Sequence, residues 1–126
     1  MRVGLLEDDI AIQEMLLLVL QDEGYTVVNY PNADACLQAL LPPQESSPID
    51  LLIVDWRLNG SIPGTEVIQQ IRQQPRLQTL PIILTTAAAF GDTEELQKQH
   101  VAFLEKPFAV DDMAKLIRTM VSTTPD

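Results

Sequence analysis

Short apolar runs alternate with amphipathic stretches along the whole chain. The runs are Val3–Leu6, Thr26–Tyr30, Asp50–Val54, Pro81–Thr85 and Val101–Leu104. Each run is too short for a typical helix, and several are rich in β-branched residues. Such runs are typical of strands that are buried on both faces of a parallel sheet. The pattern therefore predicts five buried strands.

Apolar residues at helical spacing follow each predicted strand. Asn32 is a candidate cap for a second helix that ends before Pro42-Pro43. Asp92 and Glu95 resemble a capping box that opens a fourth helix, which has few apolar residues and should be the least firmly packed. The apolar positions of the first, third and fifth helices are Ile12, Leu16 and Val19, then Val67, Ile68 and Ile71, then Met113, Leu116, Ile117 and Met120.

The alternation of five strands with five helices predicts an α/β fold, with a parallel sheet covered by helices on both faces. Right-handed crossovers then bring the carboxyl ends of all strands to one edge of the sheet. We find no repeat, low-complexity segment or domain boundary, so residues 1–126 are expected to form one domain.

Composition narrows the possible functions. With 18 acidic and 8 basic residues the formal net charge is -10, which argues against a nucleic-acid-binding surface. Cys36 is the only cysteine, so neither an internal disulfide nor a thiolate metal site can form. No leader segment or membrane-spanning stretch is evident, and the chain is expected to be cytoplasmic.

Polar residues follow four of the predicted strands at the edge where their carboxyl ends meet. Converging carboxylates repel one another unless a cation lies among them, and oxygen ligands without His or Cys favour a hard ion such as Mg²⁺. With a lysine and a hydroxyl opposite, such a site is suited to bind a phosphoryl group, which a carboxylate could attack in line. The residues are Glu7, Asp8, Asp9, Asp55, Thr86 and Lys106.

Each of these residues also has an ordinary structural interpretation. Acidic residues before a helix commonly cap it, a Lys-Pro pair is common in turns, and Thr86 could cap the region before the fourth helix. Their joint placement at four strand ends favours the phosphoryl site.

Four segments resemble the receiver domains of two-component response regulators, the CheY-like branch of the flavodoxin-like fold. They read Leu-Leu-Glu-Asp-Asp, Leu-Leu-Ile-Val-Asp-Trp-Arg-Leu, Pro-Ile-Ile-Leu-Thr-Thr-Ala and Phe-Leu-Glu-Lys-Pro-Phe. The resemblance extends over essentially the whole chain. It implies a doubly wound (βα)5 fold with strand order 2-1-3-4-5.

The resemblance also implies roles for the acidic residues. Asp55 would be the phosphoacceptor for a sensor histidine kinase or a histidine phosphotransfer protein. Glu7 and Asp8 would hold Mg²⁺, together with Asp55 and the main-chain carbonyl of Arg57. Asp9 is expected instead to cap the first helix.

Four further roles follow from the resemblance. Thr86 would donate its hydroxyl to a phosphoryl oxygen, and Lys106 would pair with another. Pro107 would follow a cis peptide that aims the lysine. Phe103 would be the aromatic switch residue, with an ordinary core aromatic as the less favoured alternative. Phosphorylation would change the face formed by the fourth helix, the fifth strand and the fifth helix, which contacts a downstream protein or a fused effector domain.

Three departures from the family pattern are evident. Asn59 stands where a proline is usual, and the loop before Gly64 is one residue longer. Gln99–Ala102 replaces the usual acidic segment before the fifth strand, which places the symmetric dimer of the DNA-binding branch in question. A weak or phosphorylation-dependent homodimer stays open, as does whether the chain stands alone or belongs to a longer regulator.

Other function classes fit less well. A pseudo-receiver that binds proteins without phosphorylation would not need Asp8, Asp55, Thr86 and Lys106 together. A hydrolase of the haloacid dehalogenase type needs a second acid where Arg57 stands. A flavin or nucleotide binder would want a glycine-rich or hydroxyl-rich phosphate loop after the first strand. The chain is expected to be a switch that catalyses only its own phosphorylation and dephosphorylation, and not a metabolic enzyme.

Overall fold

The computed structural model describes residues 2–7, 9–40, 49–55, 64–86, 101–105 and 109–123. The strands are β1 (Arg2–Leu6), β2 (Thr26–Tyr30), β3 (Leu51–Asp55), β4 (Ile82–Thr86) and β5 (Val101–Glu105). The α-helices are α1 (Ile10–Asp22), α2 (Ala33–Leu40), α3 (Gly64–Arg72) and a C-terminal helix (Val110–Thr123), and Pro75–Leu77 forms a 3-10 turn. The predicted fourth helix lies outside the described residues.

All five strands form one sheet in the order β2-β1-β3-β4-β5, with every neighbouring pair parallel. The predicted α/β, flavodoxin-like fold and its strand order are confirmed. β3 and β4 each begin and end one residue later than predicted, because Asp55 still pairs with Thr85 and Thr86 pairs with Glu105. Asp55 and Thr86 are therefore the last residues of their strands.

The sheet separates two apolar clusters. One cluster contains buried residues of α2 and α3 on one face, and the other contains residues of α1 and the C-terminal helix on the opposite face. Along β3, Leu52 and Val54 belong to the first cluster, whereas Leu51 and Ile53 belong to the second. This alternation assigns each strand residue to one face of the sheet.

Both ends of α1 follow from local sequence. The Asp9 side chain accepts hydrogen bonds from the backbone N–H groups of Ala11 at 3.0 Å and Ile12 at 3.2 Å, so the predicted cap is confirmed. Gly24, with φ of 90°, ends the helix in the left-handed conformation that glycine adopts without strain. The backbone N–H of Tyr25 then donates to the carbonyl of Leu20.

Replacing Asp9 by alanine is expected to lower the free energy of unfolding by about 1 kcal/mol, because two N–H groups of the first turn lose their acceptor. Urea denaturation measures the change. Asp34→Ala is the matched control, since Asp34 is an exposed acid in the first turn of α2. Its carboxylate contributes there mainly through the helix dipole. Equal losses of unfolding free energy in the two variants would show that the hydrogen bonds of the Asp9 cap do not stabilise the protein.

Arg72 fixes the approach to β4. Its guanidinium donates to the carbonyl of Leu77 at 2.5 Å and to that of Leu80 at 2.7 Å, across the 3-10 turn. Burial lowers the pKa of Arg72 to about 10, which still leaves it charged at neutral pH. The sequence pattern missed this turn, because three residues are too few to show a helical period.

None of the helices in the part of the chain that the structure covers combines the length and the apolar character that crossing a bilayer requires.

Candidate functional site

Strand register places two of the predicted site residues, Glu7 and Asp55, at one edge of the sheet. Leu6 pairs with Val54, so Glu7, the next residue after β1, lies level with Asp55 at the end of β3. Asp55 in turn pairs with Thr85 of β4. Neighbouring parallel strands are about 4.8 Å apart, so the Glu7 and Asp55 backbones are close neighbours.

Glu7 and Asp55 are both buried, with only 1% and 7% of their surface exposed. They are the buried acidic side chains of the described ranges. Two buried carboxylates on adjoining strands repel each other, and burial strengthens that repulsion because the surrounding dielectric constant is low. Such a pair suits a hard cation, which would compensate the charge.

Hydrogen bonds fix the chain where it leaves β1. The Glu7 carboxylate accepts from the backbone N–H of Asp9 at 3.2 Å. The Gln13 side-chain amide donates to the Glu7 carbonyl at 3.2 Å and to the Asn29 side-chain oxygen at 2.8 Å. The Glu7 carboxylate is therefore held by the backbone of Asp9, whereas the Asp9 side chain caps α1.

Several predicted site residues lie outside the described residues: Asp8, Arg57, Lys106 and Pro107. For Thr86 only the backbone at the end of β4 is described. The predicted Mg²⁺ ligands and the phosphate-binding pair therefore stay predictions. Within the described ranges, no group of three or more His, Cys, Asp or Glu side chains could hold a metal ion.

Phe103 pairs with Leu84 in the β4–β5 ladder. Its side chain is partly buried and packs against the cluster that contains α2 and α3. Thr86 is the last residue of β4, where its backbone pairs with Glu105 of β5. The two predicted switch positions thus lie on neighbouring strands near the carboxyl edge of the sheet.

Two other buried ionisable groups have shifted pKa values. Burial raises the pKa of the Cys36 thiol to about 12. Burial, with a smaller contribution from the nearby Cys36, raises the pKa of Tyr30 to about 12. Because the neutral forms are favoured, neither group adds charge to the site near neutral pH.

Sequence reasoning missed two residues next to Asp55. A Cβ atom on Gly64 would collide with the backbone carbonyl oxygen of Asp55, and it would lie 2.9 Å from Cγ1 of Val54. Thr85 is buried and pairs directly with Asp55. A glycine at the start of α3 and a second hydroxyl beside Thr86 were visible in the sequence, but only the strand register shows what they adjoin.

Comparison with known proteins gives a consistent result. The family model for the response regulator receiver domain matches residues 3–118. The phosphate regulon transcriptional regulatory protein PhoB of Rhizobium meliloti is 30% identical over 95% of this chain and 52% of its own length. The chemotaxis protein CheY of Pseudomonas aeruginosa is 29% identical over 93% of each chain.

A solved structure supports the fold. The receiver domain of the sensor histidine kinase PA1611 from Pseudomonas aeruginosa PAO1, determined with a magnesium ion coordinated in its active site cleft, superposes with a TM-score of 0.81. It is 23% identical, and the match covers 97% of this chain and 98% of that one. The chain spans about half the length of PhoB from Rhizobium meliloti, at 52%.

Proposed function

Because the chain belongs to the family of response regulator receiver domains, we propose that it is a Mg²⁺-dependent phosphorylation switch with Asp55 as its phosphoacceptor. The chain is a receiver domain of two-component signalling, and this family is not one of classical enzymes. The phosphoryl donor is a sensor histidine kinase or a histidine phosphotransfer protein.

The observation that carries the proposal is the pair of buried carboxylates, Glu7 and Asp55, at the carboxyl edge of the sheet. In an open α/β sheet, ligands bind at this edge. Buried carboxylates are costly unless a cation or hydrogen bonds compensate their charge. The two residues therefore fit a site that binds a divalent ion and, through it, a phosphoryl group.

The two carboxylates have different roles in the proposal. Glu7 is oriented by the Asp9 N–H and would hold Mg²⁺ together with Asp8, Asp55 and the main-chain carbonyl of Arg57. When bound, Mg²⁺ neutralises negative charge on the phosphoryl oxygens. The receiver domain of PA1611 has magnesium in its active site cleft, which supports this choice of ion.

Phosphoryl transfer forms one bond and breaks another. A carboxylate oxygen of Asp55 attacks phosphorus, and the bond from phosphorus to the histidine nitrogen of the donor breaks. Lys106 and the Thr86 hydroxyl bind the phosphoryl oxygens. Lys106 comes directly after Glu105, the last residue of β5, and Thr86 is the last residue of β4; these strands lie on one side of β3 in the sheet.

The output of the switch is a change at the β4–β5 side of the domain. Thr86 is drawn toward the phosphoryl group, and Phe103 turns inward. The face formed by the predicted fourth helix, β5 and the C-terminal helix then binds a downstream protein or a fused effector domain. Phe103 is only partly buried in the structure, so an inward turn would bury it further.

Intact-protein mass spectrometry after incubation with acetyl phosphate tests the proposal. We expect a gain of one phosphoryl group with Mg²⁺, and none after chelation with EDTA. Asp55→Asn should show no gain under either condition, because an amide oxygen cannot form the acyl phosphate.

A matched control is Asp50→Asn, which alters an exposed acid directly before the start of β3. It should be phosphorylated like the wild-type protein. An unmodified wild-type chain that is folded, and that also fails to bind beryllofluoride, would contradict the switch and favour a pseudo-receiver that binds proteins without phosphorylation.

A further inference from the structure

Thr85 carries a buried hydroxyl without a partner. The residue is 1% exposed, and its Oγ1 makes no hydrogen bond within the described part of the chain. It follows Ile82, Ile83 and Leu84, all of which are buried apolar residues. A valine would have the same shape at this position without the cost of burying an unsatisfied polar group. The hydroxyl therefore calls for an explanation beyond packing.

The register places Thr85 directly beside Asp55. The two residues are Cα partners in the β3–β4 ladder, and paired residues of parallel strands project to the same face. Two residues earlier, Ile53 and Ile83 both belong to the cluster that contains α1 and the C-terminal helix. By strand alternation, Asp55 and Thr85 extend from that same face.

A row of side chains thus crosses the sheet at the level of Asp55. Glu7 lies level with Asp55 on the β1 side, and Thr85 adjoins Asp55 on the β4 side. The next member of the row is Leu104, which pairs with Thr85. Asp55 is therefore flanked by a carboxylate on one side and by an unpartnered hydroxyl donor on the other.

We propose that the Thr85 hydroxyl donates a hydrogen bond to the phosphorylated Asp55 side chain and so stabilises the phosphorylated state. This inference rests on the proposed phosphorylation of Asp55. It assigns a second hydroxyl to the site, in addition to the one proposed for Thr86. The donor gains its partner when the phosphoryl group adds acceptor oxygens beside it. No bond other than that hydrogen bond forms or breaks at Thr85.

The proposal explains why an apolar position carries a polar group. In the unphosphorylated protein the buried hydroxyl lowers stability, because it has lost its bonds to water and finds no hydrogen-bond partner among the described residues. In the phosphorylated protein the same hydroxyl is satisfied. The unsatisfied hydroxyl destabilises the unphosphorylated protein and therefore favours the phosphorylated one. Thr85 would in this way shift the equilibrium between the two states of the switch.

The test combines two measurements on Thr85→Val, which keeps the shape of the side chain and removes the hydroxyl. The first is the affinity for beryllofluoride, a stable mimic of the phosphoryl group, in the presence of Mg²⁺. Its binding is monitored through the fluorescence of Trp56, the residue after Asp55 in the sequence. The second is the urea midpoint in metal-free buffer. We expect the affinity for the mimic to fall by about tenfold, because one hydrogen bond to it is lost. The urea midpoint should rise, because the variant no longer buries an unsatisfied hydroxyl.

Tyr30→Phe is the matched control. The Tyr30 hydroxyl is the other buried side-chain oxygen without a hydrogen-bond partner among the described residues. Tyr30 lies on β2, two strands from Asp55, and belongs to the cluster on the opposite face. Its replacement should also raise the urea midpoint but leave the affinity for beryllofluoride unchanged. Thr85→Ser, which keeps the hydroxyl, should retain the wild-type affinity to within about twofold.

Three results would overturn the inference. In the first, the wild-type protein binds beryllofluoride and Thr85→Val binds it with the same affinity. This result leaves the proposed function intact. The second is an equal loss of affinity for Mg²⁺ alone, which would place the effect at the metal. The third is a wild-type protein that binds no mimic, which removes the proposed function as well. Thr85→Ala supplies a second hydroxyl-free variant if Thr85→Val does not fold.

Discussion

Replacing Gly64 by alanine is expected to lower the free energy of unfolding by about 3 kcal/mol, as measured by urea denaturation. The added Cβ would overlap the backbone carbonyl oxygen of Asp55 and would press on Cγ1 of Val54. A backbone atom cannot rotate away as a side chain can, so either α3 or the end of β3 must shift. Asp55 would move with the strand, and phosphorylation by acetyl phosphate should slow accordingly.

Gly24→Ala separates this contact from the general effect of removing a glycine. Gly24 has a φ of 90° and no atom within 4 Å of the position that a Cβ would occupy. Its replacement should cost about 1 kcal/mol through backbone strain alone, and it should leave phosphorylation unchanged. Equal losses of stability in the two variants, with normal phosphorylation in Gly64→Ala, would contradict the steric argument.

The fold could be predicted because its signals are local and mutually consistent. β2 was predicted with its observed bounds, and the caps at Asp9 and Asn32 were confirmed by hydrogen bonds to backbone N–H groups. The strand ends at Asp55 and Thr86 were predicted one residue early. The predicted ends depended on residue type alone, whereas a strand continues as long as its backbone finds a partner.

The site could be predicted only in part, because its geometry depends on register. The sequence places Glu7 and Asp55 after apolar runs, and parallel topology brings them to one edge. It does not show that Thr85 pairs with Asp55, or that Gly64 lies against the Asp55 carbonyl. Both contacts join residues on different elements, and spacing along one element carries no information about them. The residues that adjoin the acceptor most closely were thus the hardest to find.

Replacing Asp55 by asparagine should make the metal-free protein more stable by about 2 kcal/mol, although it abolishes phosphorylation. Asp55 and Glu7 are both buried and lie level on adjoining strands, so their charges repel at short range. The amide removes one charge and keeps the size of the side chain. Urea denaturation in EDTA measures the gain.

A double-mutant cycle with Glu7→Gln identifies the cause of that gain. Glutamine keeps a side-chain oxygen that can accept the Asp9 N–H, so little else should change. If repulsion is relieved by either substitution, the double variant will gain less than the sum of the two single gains. Saturating Mg²⁺ should stabilise the wild-type protein most, because it binds only the folded site with both carboxylates present. Strictly additive gains that persist in Mg²⁺ would contradict the view that Glu7 and Asp55 form one cation site.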